Sequence, residues 1–392
     1  MRLLNDWEAS MAQRAEDPIT RQGDEGYRSR IRGCLLGGAI GDALGGPVEF
    51  DEGQKIVTAH PGGLREFVAG GADWPPGTVT DDTQMTLFTV EGLIRAGVRT
   101  DRGIGFTVAV VQHAYDRWLD TQLLPAPSGR RDGWLQAELW LYARRAPGNT
   151  CLSALGKARK GMDRIPQFGA QAVNNSKGCG GVMRAAPFGL LPAAKGFGLE
   201  WAFDAAAEAA GYTHGHPTGQ LASGALAAIV HQLCQGADLE AALDETQKLL
   251  ATHQDHEETS TALAGARQLA ASETAPGPDT VERLGGGWIA EEALAIGVYA
   301  ALACPEPEQF LDALALAVTH SGDSDSTGAI CGNVLGALHG ETALPAELVY
   351  AVEGRGTILQ LADDLALEFT RTGELHSEYG PQTGWHVRYP GW

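Results

Sequence analysis

From Tyr27 onward almost every segment of the chain repeats its apolar residues at helical spacing, and strand-like alternation is nearly absent. Such a pattern leaves a bundle of helices as the way to build a core. The periodicity predicts helices over 28–44, 83–96, 102–120, 131–144, 151–162, 181–191, 199–211, 217–235, 238–251, 258–272, 288–303, 307–318, 327–339, 346–353 and 355–370. Gly, Pro, Asn and Asp mark the connections, as in Pro61-Gly62-Gly63, Pro75-Pro76-Gly77 and Pro276-Gly277-Pro278. No internal repeat stands out.

Glycine supplies 52 of the 392 residues, well above the roughly 7% of average usage, so many glycines must be placed for a reason. Gly33, Gly37, Gly41 and Gly45 recur every fourth residue on one face of the first helix. They form a smooth stripe that lets another helix backbone approach closely.

Two short acidic clusters carry the chemistry. Thr80-Asp81-Asp82-Thr83 and Asp323-Ser324-Asp325-Ser326-Thr327 each pack carboxylates and hydroxyls together, 241 residues apart (323 − 82). Crowded carboxylates stay ionised when a cation neutralises them, and an all-oxygen set suits Mg²⁺, Mn²⁺ or Ca²⁺. The two clusters read as halves of one metal site closed by the fold. Each also opens a predicted helix, where Ser, Thr and Asp are the preferred caps, but one cap needs only one side-chain oxygen. An EF-hand fits Asp323, Asp325, Thr327 and Gly328 but fails at its twelfth position, where Val334 stands in place of the bidentate Glu.

Charge and composition exclude several other classes. Twenty-nine Lys and Arg against 49 Asp and Glu give a net charge of −20, which repels phosphate backbones and anionic membranes, so non-specific nucleic-acid binding is not expected. No apolar run reaches the ~20 residues of a membrane span, and Met1–Glu8 lacks a signal-peptide core, so a cytoplasmic location is expected. Six scattered cysteines without a C-x-x-C pair argue against a zinc site and a disulfide framework. Gly38-Ala-Ile-Gly41 and Gly178-Cys-Gly180-Gly181 follow no predicted strand, and no P-loop motif occurs, so both nucleotide-fold readings fail. The stretch 174–181 still runs into a predicted helix, where bare backbone amides would make an anion cradle as readily as a plain loop.

Taken in order, Gly33–Phe50 (with Asp42 and Glu49), Thr80-Asp-Asp-Thr83, Ser176-Lys-Gly-Cys-Gly-Gly-Val-Met-Arg184, Thr213-His214, Gly287-Trp288-Ile-Ala-Glu291-Glu292 and His320-Ser-Gly-Asp323-Ser-Asp325 resemble the ADP-ribosylglycohydrolases. That family includes the dinitrogenase reductase-activating glycohydrolases. The resemblance spans about residues 28–370 and implies a compact all-α multi-helix bundle over 25–375, preceded by an extension at 1–24 and followed by a tail at 376–392.

It also implies a centre of two Mg²⁺ or Mn²⁺ ions held by Thr80, Asp81, Asp82, Asp323, Asp325 and Ser326. Ser326 keeps the hydroxyl that many relatives supply from Thr. Glu49 matches an acidic residue on a mobile loop near the metals. Ser176, Gly178, Cys179 and Gly180 match the loop that holds the ADP-ribose phosphates, with Cys179 in place of an Asn, and His214 matches a ribose-side histidine. Asp116 lies where some relatives place a catalytic Asp, while its neighbour Arg117 equally suits a surface ion pair.

The implied activity, with Asp81, Asp82, Asp116 and Glu49 as its catalytic groups, is metal-dependent removal of ADP-ribose from a protein side chain, arginine first. The alternatives are hydrolysis of serine- or nucleic-acid-linked ADP-ribose, or a non-catalytic ADP-ribose binder or immunity-type protein that engages an ADP-ribosylating partner through 1–24.

Overall fold

In a computed structural model, which describes residues 18–72, 74–128, 132–162, 169–371, 375 and 383–391, helix α1 (Pro18–Gly45) is the central strut. The other long helices are α2 (Asp81–Asp101), α3 (Ala109–Leu123), α4 (Asn149–Met162), α5 (Leu199–Gly211), α6 (Pro217–Cys234), α7 (Leu239–Leu250), α8 (Glu257–Ala270), α9 (Ala290–Ala303), α10 (Ser324–His339) and α11 (Arg355–Thr370). The described residues form no sheet, only two isolated bridges, one of them between Gly178 and Ile289. The all-α class read from the periodicity therefore holds.

The broadest helix–helix contact joins α1 to α10, and glycine is its cause. A Cβ on Gly328 would lie 2.5 Å from the Gly41 carbonyl oxygen, and one on Gly33 would lie 2.6 Å from the Gly340 carbonyl carbon. The stripe on α1 meets a matching one on α10, Gly328, Gly332 and Gly336, so the two backbones touch without side chains between them. Ile31, Leu36, Ile40 and Leu44 bury the remaining faces of α1 in the apolar core. This contact sets the end of α1 against the start of α10 and so decides where the acidic residues sit.

Several elements differ from expectation. Helix α1 begins at Pro18, ahead of Tyr27, as a proline suits a first turn. Residues 1–17, most of the extension read as a partner surface, lie outside the described residues. Where a helix is expected over 131–144, residues 132–144 form two short 3-10 turns, Leu135–Ala137 and Leu139–Leu141, because Glu138 between them is extended at φ −71°, ψ 103°. The helix expected over 181–191 is a 3-10 segment, Cys179–Arg184, followed by a single turn, Ala186–Gly189. Pro187 supplies no amide for a continuous helix there.

Part of the expected tail is docked on α11. Tyr389 is fully buried and donates to Asp364 Oδ2 at 2.5 Å, while Trp385 Nε1 donates to Glu368 at 2.8 Å. No described helix is long and apolar enough to cross a membrane.

Candidate active site

The N-terminus of α2 is built by its own sequence. Thr80 caps it by accepting from the Asp82 amide at 3.2 Å, and Asp81 and Asp82 fill the first turn, where the helix dipole favours negative charge. Asp42, fully buried on α1, fixes this cap from outside. Its carboxylate accepts from the Thr80 amide at 2.9 Å, from the Thr83 amide at 3.1 Å and from the Thr83 hydroxyl.

The second cluster is built alike. Asp323 caps α10 with Oδ1 3.4 Å from the Ser326 amide, and Asp325 Oδ1 accepts from the same amide at 2.8 Å. Asp323 thus both caps α10 and lines the site, while on α2 Thr80 does the capping and Asp81 and Asp82 follow it into the site from the first turn.

The fold brings the halves together in one cleft, lined by Glu49, Asp81, Asp82, Asp323, Asp325 and Ser326. Carboxylate oxygens of Glu49, Asp323 and Asp325 lie within 4.8 Å of one another, and all three residues are buried. The crowding is visible in the acidities. Burial, then the Asp325 and Asp323 charges, pushes the Glu49 carboxyl up to about 10. Asp81, Asp82 and Asp323 are raised by the same two causes, burial first and then Asp325. Asp42, further back, is raised to about 7 by burial and Asp325.

Glu49 Oε2 and Asp82 Oδ2 are buried without a hydrogen-bond partner among the described residues. Buried acceptors without donors, in an all-oxygen cluster, are the electrostatic conditions that a hard cation relieves. The donor set therefore fits a Mg²⁺- or Mn²⁺-type ion.

The opposite wall is the loop at 176–180. Cys179 donates amide hydrogen to Trp288 oxygen at 3.3 Å, Ala290 donates to Lys177 oxygen at 2.8 Å, and Lys177 is clamped by Glu291 at 2.5 Å and Glu258 at 2.8 Å. Gly178, Cys179 and Gly180 line the cleft with His214. Gly180 is required sterically: a Cβ there would lie 2.8 Å from Cys151 Sγ and 3.1 Å from His214 Cε1. The Cys179 thiol points at Asp323, 2.7 Å from Oδ2, and so joins the two walls. At the rim, exposed Phe50 stacks on Trp288 with centroids 5.6 Å apart.

Three expected site residues stand off the cleft. Thr80 is buried behind it as the α2 cap. Ser176 supports the loop, with its hydroxyl 3.2 Å from Thr150 Oγ1. Asp116 is not among the lining residues; its carboxylate is held by Arg159 Nε at 2.6 Å, and Arg117 pairs instead with buried Glu91 at 2.7 Å. Residues 146 and 148–151 also line the cleft, and none of them stands out in the sequence as a site residue, Cys151 only opening the expected 151–162 helix. Asp42, quoted above for its motif, acts on the site through Thr80 and Thr83.

An all-α bundle closing two acidic helix caps over one cleft defines a class, and the comparison with known proteins names it. The ADP-ribosylglycohydrolase family model matches residues 23–374, and the chain belongs to that family. It is 26% identical over 324 residues to the ADP-ribosyl-[dinitrogen reductase] glycohydrolase of Rhodospirillum rubrum, across 81% of this chain and 87% of that protein. It is 25% identical over 373 residues to the ADP-ribosylhydrolase ARH3 of Danio rerio, across 86% of this chain and 89% of that protein. A solved structure titled "ADP-ribosylglycohydrolase-related protein complex" superimposes with a TM-score of 0.64 at 25% identity, covering 88% of this chain and all of that one. Members of the family hydrolyse ADP-ribose linkages.

Proposed function

We propose that the protein hydrolyses the bond between the anomeric carbon of ADP-ribose and a modified protein side chain, arginine first, with two Mg²⁺ or Mn²⁺ ions held by Asp81, Asp82, Asp323, Asp325 and Ser326, and with Thr80 fixing the α2 cap behind them. The observation that carries this reading is the meeting of the two acidic caps in one cleft opposite a glycine loop. Bound divalent ions would supply Lewis-acid polarisation and charge neutralisation. The carboxylates of both caps face the place where positive charge develops on the sugar. Glu49, which lines the cleft beside them on the loop after α1, would exchange a proton with the substrate. The amides of 178–180 and the His214 ring would receive the diphosphate and ribose. Ser176 supports that loop from behind.

Arginine is preferred by analogy with the bacterial glycohydrolases that the chain resembles, and the Rhodospirillum relative, named for ADP-ribosyl-[dinitrogen reductase], supports a modified protein as the substrate. Unpaired cysteines suit a reducing compartment, in keeping with a cytoplasmic protein. A non-catalytic binder is the weaker reading, since every expected ligand position keeps an oxygen side chain. The test is to incubate the protein and Mg²⁺ with peptides carrying ADP-ribose on Arg or Ser, and with ADP-ribosylated DNA, and to measure released ADP-ribose. Fastest release from arginine is expected. Release from none of them, despite ADP-ribose binding, would establish the binder instead.

A further inference from the structure

Behind the glycine loop lies a guanidinium that no carboxylate among the described residues neutralises. Arg184 is 1% exposed, and the titratable groups that face it are Tyr115 and Cys151, not a carboxylate. Its Nη1 donates to the Gly180 carbonyl and lies 3.3 Å from Cys151 Sγ, its Nη2 donates to Thr213 Oγ1 at 2.6 Å, and its plane sits 4.4 Å from the Tyr115 ring centroid. Its Nε has no partner among the described residues. Burying an uncompensated charge is costly, and an apolar residue of the same volume would serve the core better. Such a side chain is kept for what it does to its neighbours.

The neighbour that matters is Thr213, whose Oγ1 lies 2.8 Å from His214 Nδ1. The hydroxyl has one proton to give. Its rivals are the Ala210 carbonyl, 3.2 Å away and already receiving the Thr213 and His214 amides, and the Cys151 sulfur, a weak acceptor. Donation from a guanidinium makes the hydroxyl a weaker acceptor and a stronger donor, so its proton goes to Nδ1. The positive charge beyond it also favours a lone pair, not an N–H, on the side of the ring that faces it. His214 Nε2 lies on the other side, with the cleft-lining ring 3.5 Å from where a Gly178 Cβ would stand.

We propose that Arg184 is a positioning residue that, through Thr213, locks His214 as the Nε2–H tautomer and so presents a neutral hydrogen-bond donor to an oxygen of the bound ADP-ribose. The claim rests on the cleft being an ADP-ribose site, as argued above. Burial and the Arg184 charge also hold the imidazole well below its usual range, at about 3, so the ring stays a neutral donor at working pH. By its second hydrogen bond Arg184 holds the Gly180 carbonyl, so one side chain orders both the histidine and the loop that faces it.

The experiment is long-range ¹H–¹⁵N NMR of the His214 ring in the ligand-free protein, alongside calorimetric ADP-ribose affinity, for wild type, Arg184→Met, Thr213→Val and Thr213→Ser. Expected in wild type and Thr213→Ser is a single Nε2-protonated ring. Arg184→Met and Thr213→Val should show averaged tautomers and bind ADP-ribose about tenfold more weakly, the weight of one hydrogen bond. Thr213→Val tests the relay with the arginine in place, so a failure of Arg184→Met to fold leaves the proposal falsifiable. An Nδ1–H ring in wild type, or both variants keeping wild-type tautomer and affinity, overturns it. A wild-type protein that binds no ADP-ribose at all would refute the reading of the cleft, and the ligand-free tautomer separates that failure from this one.

Discussion

Gly45 lies so close to Asp325 that a Cβ on the glycine would fall 2.5 Å from the aspartate's amide nitrogen. The last turn of α1 therefore touches the first turn of α10 backbone to backbone, and four residues later the chain places Glu49 beside the carboxylates of Asp323 and Asp325. Helix packing and site assembly are one contact.

Gly41→Val, in the middle of that contact, should cost about 3 kcal/mol or more, since neither backbone can retreat from the added atoms. The same helix offers a control. Gly26 is exposed with no neighbour within 4 Å of an added Cβ, so Gly26→Ala should stabilise by about 0.5–1 kcal/mol. Chemical denaturation of the pair, alongside divalent-ion titration, checks both; equal stability would show that the stripe is not a close contact.

Asp42 is expected to matter without lining the cleft. Asp42→Ala strands the Thr80 and Thr83 amides and the Thr83 hydroxyl in the core, loosening the α2 cap that carries Asp81 and Asp82. Calorimetry should show divalent-ion affinity about 10–100-fold weaker. Unchanged affinity would mean the cap holds itself.

How much of this was legible in the sequence follows from the range of each interaction. The caps were, because Thr80 and Asp323 act on amides within three residues, and the glycine stripe was, because its period lies within one helix. What Gly41 would meet, or that Asp42 would reach across to Thr83, depends on packing between segments far apart in the chain. The 181–191 stretch departs from its helical period because Pro187, and a side chain of Arg184 bonded to Gly180, outweigh the apolar spacing. Asp116 read as ambiguous between a catalytic acid and a partner of Arg117; the ion partner turns out to be Arg159, from a helix more than 40 residues away in sequence.

For Asp116 the geometry predicts little catalytic weight. Held by Arg159 on a half-exposed face, Asp116→Asn should leave kcat within about twofold and cost no more than ~1 kcal/mol. A loss of 10²–10⁴-fold in kcat with ADP-ribose affinity intact would instead make it the proton donor.

Acid should unfold the protein partly through His214. Burial, then Arg184, holds its folded pKa down at about 3, against about 6.5 in an unfolded chain. Above pH ~6.5 both states are neutral and the residue is silent. As pH falls from there towards 3, only the unfolded state takes up the proton, so stability is lost, by about 2 kcal/mol at pH 5. His214→Gln should remove that part of the slope in denaturation curves between pH 7 and 5; an unaltered slope would mean the imidazole charges freely in the folded state.

The most direct measurement is ADP-ribose released from an ADP-ribosylarginine peptide by wild type, Asp82→Asn and Asp325→Asn, each with Mg²⁺ and with EDTA. If both acidic caps act as one metal-dependent site, wild type turns over in Mg²⁺ and stops in EDTA, and each variant loses at least about 100-fold in rate. Undiminished release in EDTA, or by either variant, would contradict the account.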